Sequence, residues 1–76
     1  MTYVDWFRVL NDLQHLSCTR PDVARITGIS ASTVGRIYRR ESEPRFDAGE
    51  RILRLWCRAT GKTIDDVPRA QFPNRN

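Results

Sequence analysis

The stretch DVARITGISASTVGRIYRR, residues 22–40, decides the fold. Its apolar residues recur at helical spacing, but the four residues Thr27-Gly28-Ile29-Ser30 interrupt them once. Glycine is the usual residue at the left-handed position that ends a helix, and serine is a preferred N-cap for the helix that follows. The stretch therefore predicts two short helices joined by a tight turn, the second over residues 31–40 with arginines crowding its end.

Capping signals place the ends of these two helices. Thr19 is the expected N-cap of the first helix, with Asp22 as its partner three residues later. Pro21 fits the first turn, where its missing N–H costs nothing. The second helix has Ser30 as its expected N-cap. Its apolar positions recur at the three-four spacing of a core-facing stripe: Val34, Ile37 and Tyr38.

The flanking sequence also has helical character. Residues 2–16 show an apolar stripe at helical spacing, and Thr2 with Asp5 resembles a capping box at its start. A further helix is predicted after Pro44, with Asp47 as its cap and Gly61 as its terminator.

The elements together predict an all-α fold, a compact bundle of four to five short helices. Residues 63–67 can add one helical turn, and no stretch has the period of a useful β-strand. We expect one domain over residues 1–67, which contains the two-helix unit at 20–40, and a loose, flexible C-terminal tail over 68–76.

Charge points to a polyanionic partner without proving one. The 76-residue chain has a formal net charge of +4, and twelve of its 13 basic residues are Arg. Arg suits bidentate contacts to phosphate and guanine, although a GC-rich genome that favours Arg codons explains the bias equally well. We expect a reduced protein of the bacterial or phage-infected cytoplasm, without a signal peptide or membrane segment.

The sequence offers little for catalysis or metal binding. It has two cysteines, Cys18 and Cys57, and one histidine, His15, which is fewer than the four ligands of a structural zinc site. It has no glycine-rich phosphate loop and no nucleophile with a base in reach. We therefore expect no enzyme activity, no cofactor and no metal.

The residues of the two-helix unit resemble the helix-turn-helix of bacterial and phage repressors. The segment alone is similar to both the lac-repressor and the lambda-repressor/Cro-like families, and the flanking sequence favours the latter. A full helix precedes it, and TGKTIDDV, residues 60–67, resembles the turn and short fifth helix of lambda-repressor-like domains. The segment from Pro44 to Gly61 is about a helical turn longer than the common pattern of that family, and Thr27 stands where an apolar or alanine residue is usual. The matching positions are Val23, Ala24, Gly28, Ile29, Ser30, Val34 and Ile37.

The resemblance implies where DNA would be contacted. The base-reading positions of the family correspond to Ala31, Ser32, Gly35 and Arg36, and its phosphate positions to Arg20, Ser30 and Thr33. Ser can bond base edges, Ala can touch a thymine methyl and Arg can grip guanine; Gly35 has no side chain and would instead allow a close approach.

Further arginines are candidates on charge and position alone. Arg39 and Arg40 are predicted to contact phosphate, as is Arg45 in the following loop. The alternative for the first two is a solvated helix face neutralised by Glu41 and Glu43. Three arginines of the fourth helix are interpreted as solvated surface: Arg51, Arg54 and Arg58.

The leading hypothesis is a sequence-specific regulator of transcription that binds double-stranded DNA at an inverted repeat as a homodimer. It resembles a phage or prophage Cro-like repressor, and a surface patch touching RNA polymerase would allow activation. The alternatives are an excisionase-like architectural protein, a toxin–antitoxin regulator, and a protein-interaction module that has lost DNA binding. Four apolar residues are the candidates for the dimer interface: Trp56, Ile64, Val67 and Phe72.

Overall fold

The predicted all-α bundle is confirmed in the computed structural model, which describes residues 2–74. Helices α1 (Trp6–His15), α2 (Arg20–Thr27), α3 (Ala31–Tyr38) and α4 (Phe46–Thr60) are followed by one 3₁₀ turn, Ile64–Asp66. A minimal antiparallel pair of strands, β1 (Tyr3–Val4) and β2 (Arg69–Ala70), joins the two ends of the chain. Each strand has two residues, so the sequence contains no alternating pattern long enough to predict it.

The core lies where the four helices meet. Every helix contributes buried apolar side chains because each has an apolar stripe at helical spacing. Trp56 is the largest of the fully buried side chains, and its indole N–H donates to Asp12 Oδ2 at 3.1 Å. The core comprises Trp6, Val9, Leu10, Leu13, Val23, Ile29, Val34, Ile37, Ile52, Trp56 and Val67.

Most of the predicted helix ends are confirmed. Gly28 ends α2 and Gly61 ends α4, both in the left-handed region with φ of 77° and 73°. Thr19 and Ser30 are the N-caps of α2 and α3. Residues without a Cβ occupy this region at no steric cost, so the glycines fix both helix ends.

Two predicted caps are wrong. Helix α1 begins at Trp6, and its N-cap is Asp5, whose Oδ1 accepts from the Arg8 N–H at 3.2 Å. Thr2 is not the cap because Tyr3 and Val4 are extended to pair with β2. Helix α4 begins at Phe46 with Arg45 as its N-cap, so Asp47 lies inside the first turn. Its negative charge there interacts favourably with the positive end of the helix dipole.

The prediction of a loose tail is wrong for residues 68–74. The Pro68 carbonyl accepts from the Asp5 N–H at 2.9 Å, and β2 pairs Tyr3 with Ala70 and Val4 with Arg69. Asn74 is buried, with 7% of its surface exposed. These contacts join segments that are far apart in the chain, so no local sequence signal announces them; Arg75 and Asn76 lie outside the described residues.

Within residues 2–74, no helix combines the length and the apolar character that crossing a membrane would require.

Candidate nucleic-acid interface

The turn between α2 and α3 is closed by its own residues. The Gly28 N–H donates to the Ala24 carbonyl at 3.0 Å. The buried Thr27 hydroxyl donates to the Val23 carbonyl at 2.6 Å and accepts from the Ile29 N–H at 3.3 Å. The residue that departs from the family pattern thus satisfies backbone groups of the turn, a role that an apolar side chain cannot fill.

Helix α4 also contacts this turn, through a hydrogen bond from one of its arginines. Arg51 Nη1 donates to the Thr27 carbonyl at 3.3 Å, so this arginine is more than the solvated surface that its sequence position indicated. Arg54 forms an exposed pair with Glu50 at 3.0 Å, in keeping with a solvated face.

The start of α2 is fixed by a capping box. The Asp22 carboxylate accepts from the Thr19 N–H at 3.0 Å and from the Thr19 hydroxyl at 2.9 Å. These hydrogen bonds, the hydroxyl first, hold the pKa of the Asp22 carboxyl below its ordinary value, with Arg25 adding to the effect. The box orders the first turn of α2, where Arg20 is the first residue.

Hydroxyl groups cluster at the N-terminus of α3. Ser30 Oγ accepts from the Thr33 N–H at 3.2 Å and donates to the Thr33 hydroxyl at 2.8 Å, while Ser32 Oγ lies 3.4 Å from Ser30 Oγ. Ala31 and Ser32 are exposed. This end of the helix therefore presents short polar side chains beside free backbone N–H groups and the positive end of the helix dipole.

The next turn of α3 separates a buried face from an exposed one. Val34 and Ile37 are fully buried, which fixes the helix to the core. Arg36 is exposed and forms no ion pair among residues 2–74. Arg36 thus lies one turn after Ser32 on the exposed side with its five donors available.

Gly35 is covered by a neighbouring arginine. A Cβ built at Gly35 would lie 3.1 Å from Arg39 Nη1, so the absence of a side chain lets this guanidinium lie against the helix. Arg39 Nε also pairs with Glu41 Oε2 at 2.7 Å. That hydrogen bond holds the pKa of the Glu41 carboxyl below its ordinary value and raises the pKa of Arg39. Arg39, the C-cap of α3, is therefore partly neutralised by its ion pair with Glu41, a carboxylate on which the charge of Arg36 also acts.

A row of four side chains orders the C-terminal side of α3. The rings of Phe7 and Tyr38 are 5.1 Å apart between centroids. The guanidinium carbon of Arg20 lies 4.9 Å from the Tyr38 centroid, and that of Arg40 lies 4.6 Å from the Phe7 centroid. Each cation–π contact is worth about 0.5–1 kcal/mol at an exposed site. The row thus holds two predicted phosphate contacts in fixed positions while their outer donors stay exposed.

Asn74 caps the end of α3 from a distance. Its Nδ2 donates to the Ile37 carbonyl at 2.9 Å and to the Ser42 carbonyl at 3.0 Å. Its backbone N–H donates to Glu43 Oε1 at 3.1 Å. Glu43 therefore contacts Asn74, whereas Arg40 stacks on the ring of Phe7.

The predicted site residues fall into two groups, one at each end of α3. The helix predicted over 31–40 ends at Tyr38, so Arg39 is its C-cap and Arg40 lies beyond it with a φ of 63°. The N-terminal group contains Ser30, Ala31, Ser32, Thr33 and Arg36, and the C-terminal group contains Arg39, Arg40 and, through Tyr38, Arg20. Arg45 lies apart from both, as the N-cap of α4 at the edge of an apolar groove.

Sequence reasoning missed the residues that support the C-terminal group. Phe7 lies in the apolar stripe of residues 2–16, and Tyr38 continues the stripe of α3 and packs against the core, so their spacing gives no sign of the contacts with arginine. Both are only half-buried. Asn74 has no neighbour in sequence that could indicate its role.

Comparison of the chain with protein-family models, with curated proteins and with solved structures gave no match.

Proposed function

We propose that this protein is a sequence-specific DNA-binding regulator of transcription, of the Cro-like repressor type, that inserts α3 into the major groove of an inverted-repeat operator as a homodimer. Ser32 and Arg36 would read base edges, with Ala31 beside them and Gly35 without a side-chain contact. Phosphate contacts would come from Arg20, Ser30, Thr33, Arg39, Arg40 and Arg45.

The observation that carries the proposal is the composition of the exposed side of α3. Ala31, Ser32 and Arg36 are exposed on a helix whose other side is fully buried. A helix fits the major groove, where serine can bond either base edge and arginine can bond guanine bidentately. Arg36 forms no ion pair among residues 2–74, which supports base reading, since a guanidinium already paired would have to break that pair first.

The restrained arginines support the same proposal. Arg20 and Arg40 occupy the two ends of one row, held by Tyr38 and Phe7. A pre-ordered guanidinium loses less rotamer freedom when it binds phosphate, so such contacts favour a fixed docking position.

A protein-interaction module is the second candidate function. Such a module would be expected to carry an apolar patch on α3, where the exposed residues are polar or small. The exposed apolar surface lies instead on α4, around Phe46. This separation favours DNA as the partner of α3 and leaves α4 for protein contacts.

Selection from a random pool of duplex DNA tests the proposal. We expect enrichment of an inverted repeat, and loss of binding to it by Arg36→Ala. Lys62→Ala is the matched control, because it also removes one positive charge but lies beyond α4, beside the end of α1. Failure to enrich any sequence at low salt would overturn the proposal. Binding without sequence preference would favour the architectural alternative.

A further inference from the structure

The chain reverses direction after α3, and the reversal has a strained backbone at Arg40. The Glu41 N–H donates to the Arg36 carbonyl at 2.8 Å across it, and Arg40 has a φ of 63°. Within residues 2–74, Arg40 and Ser17 are the two residues other than glycine with a positive φ. This region favours glycine, and other residues stay there only where the surrounding structure enforces it. Such strain at an exposed arginine indicates a use for its side chain.

The segment 68–74, which we call the strap, holds the reversal from both sides. Asn74 Nδ2 donates to the Ile37 carbonyl, before Arg40, at 2.9 Å and to the Ser42 carbonyl, after it, at 3.0 Å. The Asn74 side chain thus bridges the two arms of the reversal. The strap is itself fixed to the body of the protein, because β2 within it pairs with β1.

Hydrogen bonds contribute more than close packing to the contact between the strap and the reversal. A cavity of about 300 Å³ is lined by Arg40 and by three residues of the strap, Phe72, Pro73 and Asn74. Without the bonds of Asn74, the reversal could therefore relax into open space. The Arg40 guanidinium would then leave the ring of Phe7, whose centroid lies 4.6 Å from its central carbon.

The position of Phe72 in the strap also bears on the predicted dimer interface. Phe72 and Ile64 are 76% and 46% exposed, so both rings and side chains are accessible. Trp56 and Val67 are 1% and 4% exposed, so they belong to the core and are not available to a partner. The predicted interface is therefore wrong for Trp56 and Val67.

We propose that the strap is a positioning element for DNA binding, in which Asn74 holds the reversal so that the Arg40 guanidinium stays on Phe7, ordered for a phosphate. An ordered guanidinium loses less rotamer freedom when it binds. Asn74 is a positioning residue that acts through Arg40, since its own surface is 7% exposed. By linkage, a phosphate bound at Arg40 stabilises the docked strap in turn. This role rests on the proposed function, because Arg40 is a phosphate contact only if DNA is the partner.

The placement of Arg40 is tested without DNA, by proton NMR. The ring current of Phe7 should shift the Arg40 side-chain protons upfield in the wild type, and Phe7→Leu should remove the shift. Asn74→Ala should lose most of it. Thr60→Ala is the matched control and should keep it, because it also removes two hydrogen bonds between a side chain and the backbone, but at the end of α4. A folded Asn74→Ala protein that keeps the shift would overturn the proposal.

A milder variant tests the same contact if Asn74→Ala does not fold. Glu43→Ala removes the carboxylate that accepts from the Asn74 backbone N–H at 3.1 Å and leaves the Asn74 side chain in place. We expect a partial loss of the Arg40 ring-current shift. An unchanged shift would show that the strap does not position Arg40.

A double-mutant cycle on DNA affinity tests the coupling. Asn74→Ala should weaken binding about two- to tenfold, the cost of ordering one long side chain, and should keep the salt slope because the charge of Arg40 remains. Arg40→Ala should lower both the affinity and the slope, and it should cost less in the Asn74→Ala background than in the wild type. Additive losses would overturn the coupling, as would an equal loss of affinity in Thr60→Ala.

A pair of substitutions at Arg40 tests the strain. Arg40→Gly and Arg40→Ala both remove the guanidinium, so they should bind DNA equally weakly. Only glycine relieves the strain at a φ of 63°, so Arg40→Gly should melt at the higher temperature. Ser17→Gly, at a φ of 66°, should also raise the melting temperature but leave DNA affinity unchanged. Equal melting temperatures for the two Arg40 variants would show that the reversal is not strained.

The outcomes separate the strap from the proposed function, because the cycle can be measured on duplex DNA of any sequence. A wild type that binds all duplexes alike, with coupling between Asn74 and Arg40, would keep the strap and refute a sequence-specific regulator. Sequence-specific binding with additive losses would keep the regulator and refute the strap. A wild type that binds no duplex at low salt would refute both roles in DNA binding.

Discussion

The two ends of α3 differ in whether their arginines already have partners within the protein. At the N-terminal end, Ser32 and Arg36 are exposed, and Arg36 has no ion-pair partner among residues 2–74. At the C-terminal end, Arg39 is paired with Glu41, and Arg40 is stacked on Phe7. Free donors suit a surface that must match base edges, and restrained cations suit a surface that must meet phosphates at fixed positions. Under the proposed function, this difference would divide base reading from phosphate positioning between the two ends of α3.

The largest effect is expected from Arg36→Ala at the N-terminal end. Removal of a bidentate guanine contact should cost about 1–3 kcal/mol per half-site and relax discrimination at one base pair. Binding to the selected operator and to its single-base variants measures both quantities. A uniform loss of affinity over all variants would place Arg36 on the backbone and remove the division.

Gly28→Val should strain the turn that leads into the N-terminal end of α3. A β-branched residue at φ 77° costs about 1–3 kcal/mol, because L side chains rarely adopt this conformation. We expect the melting temperature and DNA affinity to fall together. Unchanged stability with lost binding would instead make the turn itself a DNA contact.

Asn74→Ala should loosen the opposite end of α3. It removes two hydrogen bonds, and although the Ile37 carbonyl keeps the Arg40 N–H at 3.1 Å, the Ser42 carbonyl loses its Asn74 donor. An unsatisfied carbonyl of this kind costs about 1–3 kcal/mol. Thermal unfolding measures the destabilisation. Asn74→Asp keeps the shape but places a carboxylate oxygen against the two carbonyls, so it should be at least as destabilising as alanine. Stability retained in both variants would show that the capping of α3 is local.

The two C-terminal arginines should differ in their contribution to phosphate binding. Arg40→Ala is expected to weaken binding to all sequences alike and to reduce the salt slope by about 1 for each phosphate that is no longer neutralised. Arg39→Ala should change both less, because its charge is already partly neutralised by Glu41. Glu41→Gln should strengthen binding by freeing Arg39. Affinity measured at several salt concentrations gives these slopes. Equal slopes for the two alanine variants would contradict the predicted difference between Arg39 and Arg40.

The smallest effect is a pH dependence from the capping box of α2. The pKa of Asp22 is lowered by its hydrogen bonds to Thr19, so the folded state favours its charged form. The stability that this contributes is present above the unfolded pKa of about 3.9 and is lost as the pH falls through the lowered pKa. The difference in melting temperature between the wild type and Asp22→Asn should be constant near neutral pH and shrink below about pH 4. A difference that stays constant down to about pH 2 would exclude a role for the carboxylate charge.

Local signals predicted the elements that need no distant partner. Thr19 and Ser30 cap their helices because each side chain reaches groups three residues away. Gly28 and Gly61 end theirs through φ alone. The candidate residues on α3 follow from its period, since buried Val34 and Ile37 leave the opposite side exposed.

Non-local contacts explain two of the errors, the start of α1 and the tail. Helix α1 begins at Trp6, later than its sequence predicts, because the preceding residues form β1. That strand pairs with one near the other end of the chain, with Tyr3 opposite Ala70. The tail is packed because Asn74 donates to carbonyls at the end of α3. Neither interaction leaves a pattern in a short window of sequence.

The sequence by itself determined the helices, the glycine turn and the polar side of α3, because propensity, capping and period act over a few residues. Only the tertiary structure decided what each arginine faces. Arg39 meets Glu41, Arg40 meets Phe7, Arg20 meets Tyr38, and Arg36 meets solvent. A long side chain takes its partner from whichever elements pack beside it, and packing is a property of the whole chain.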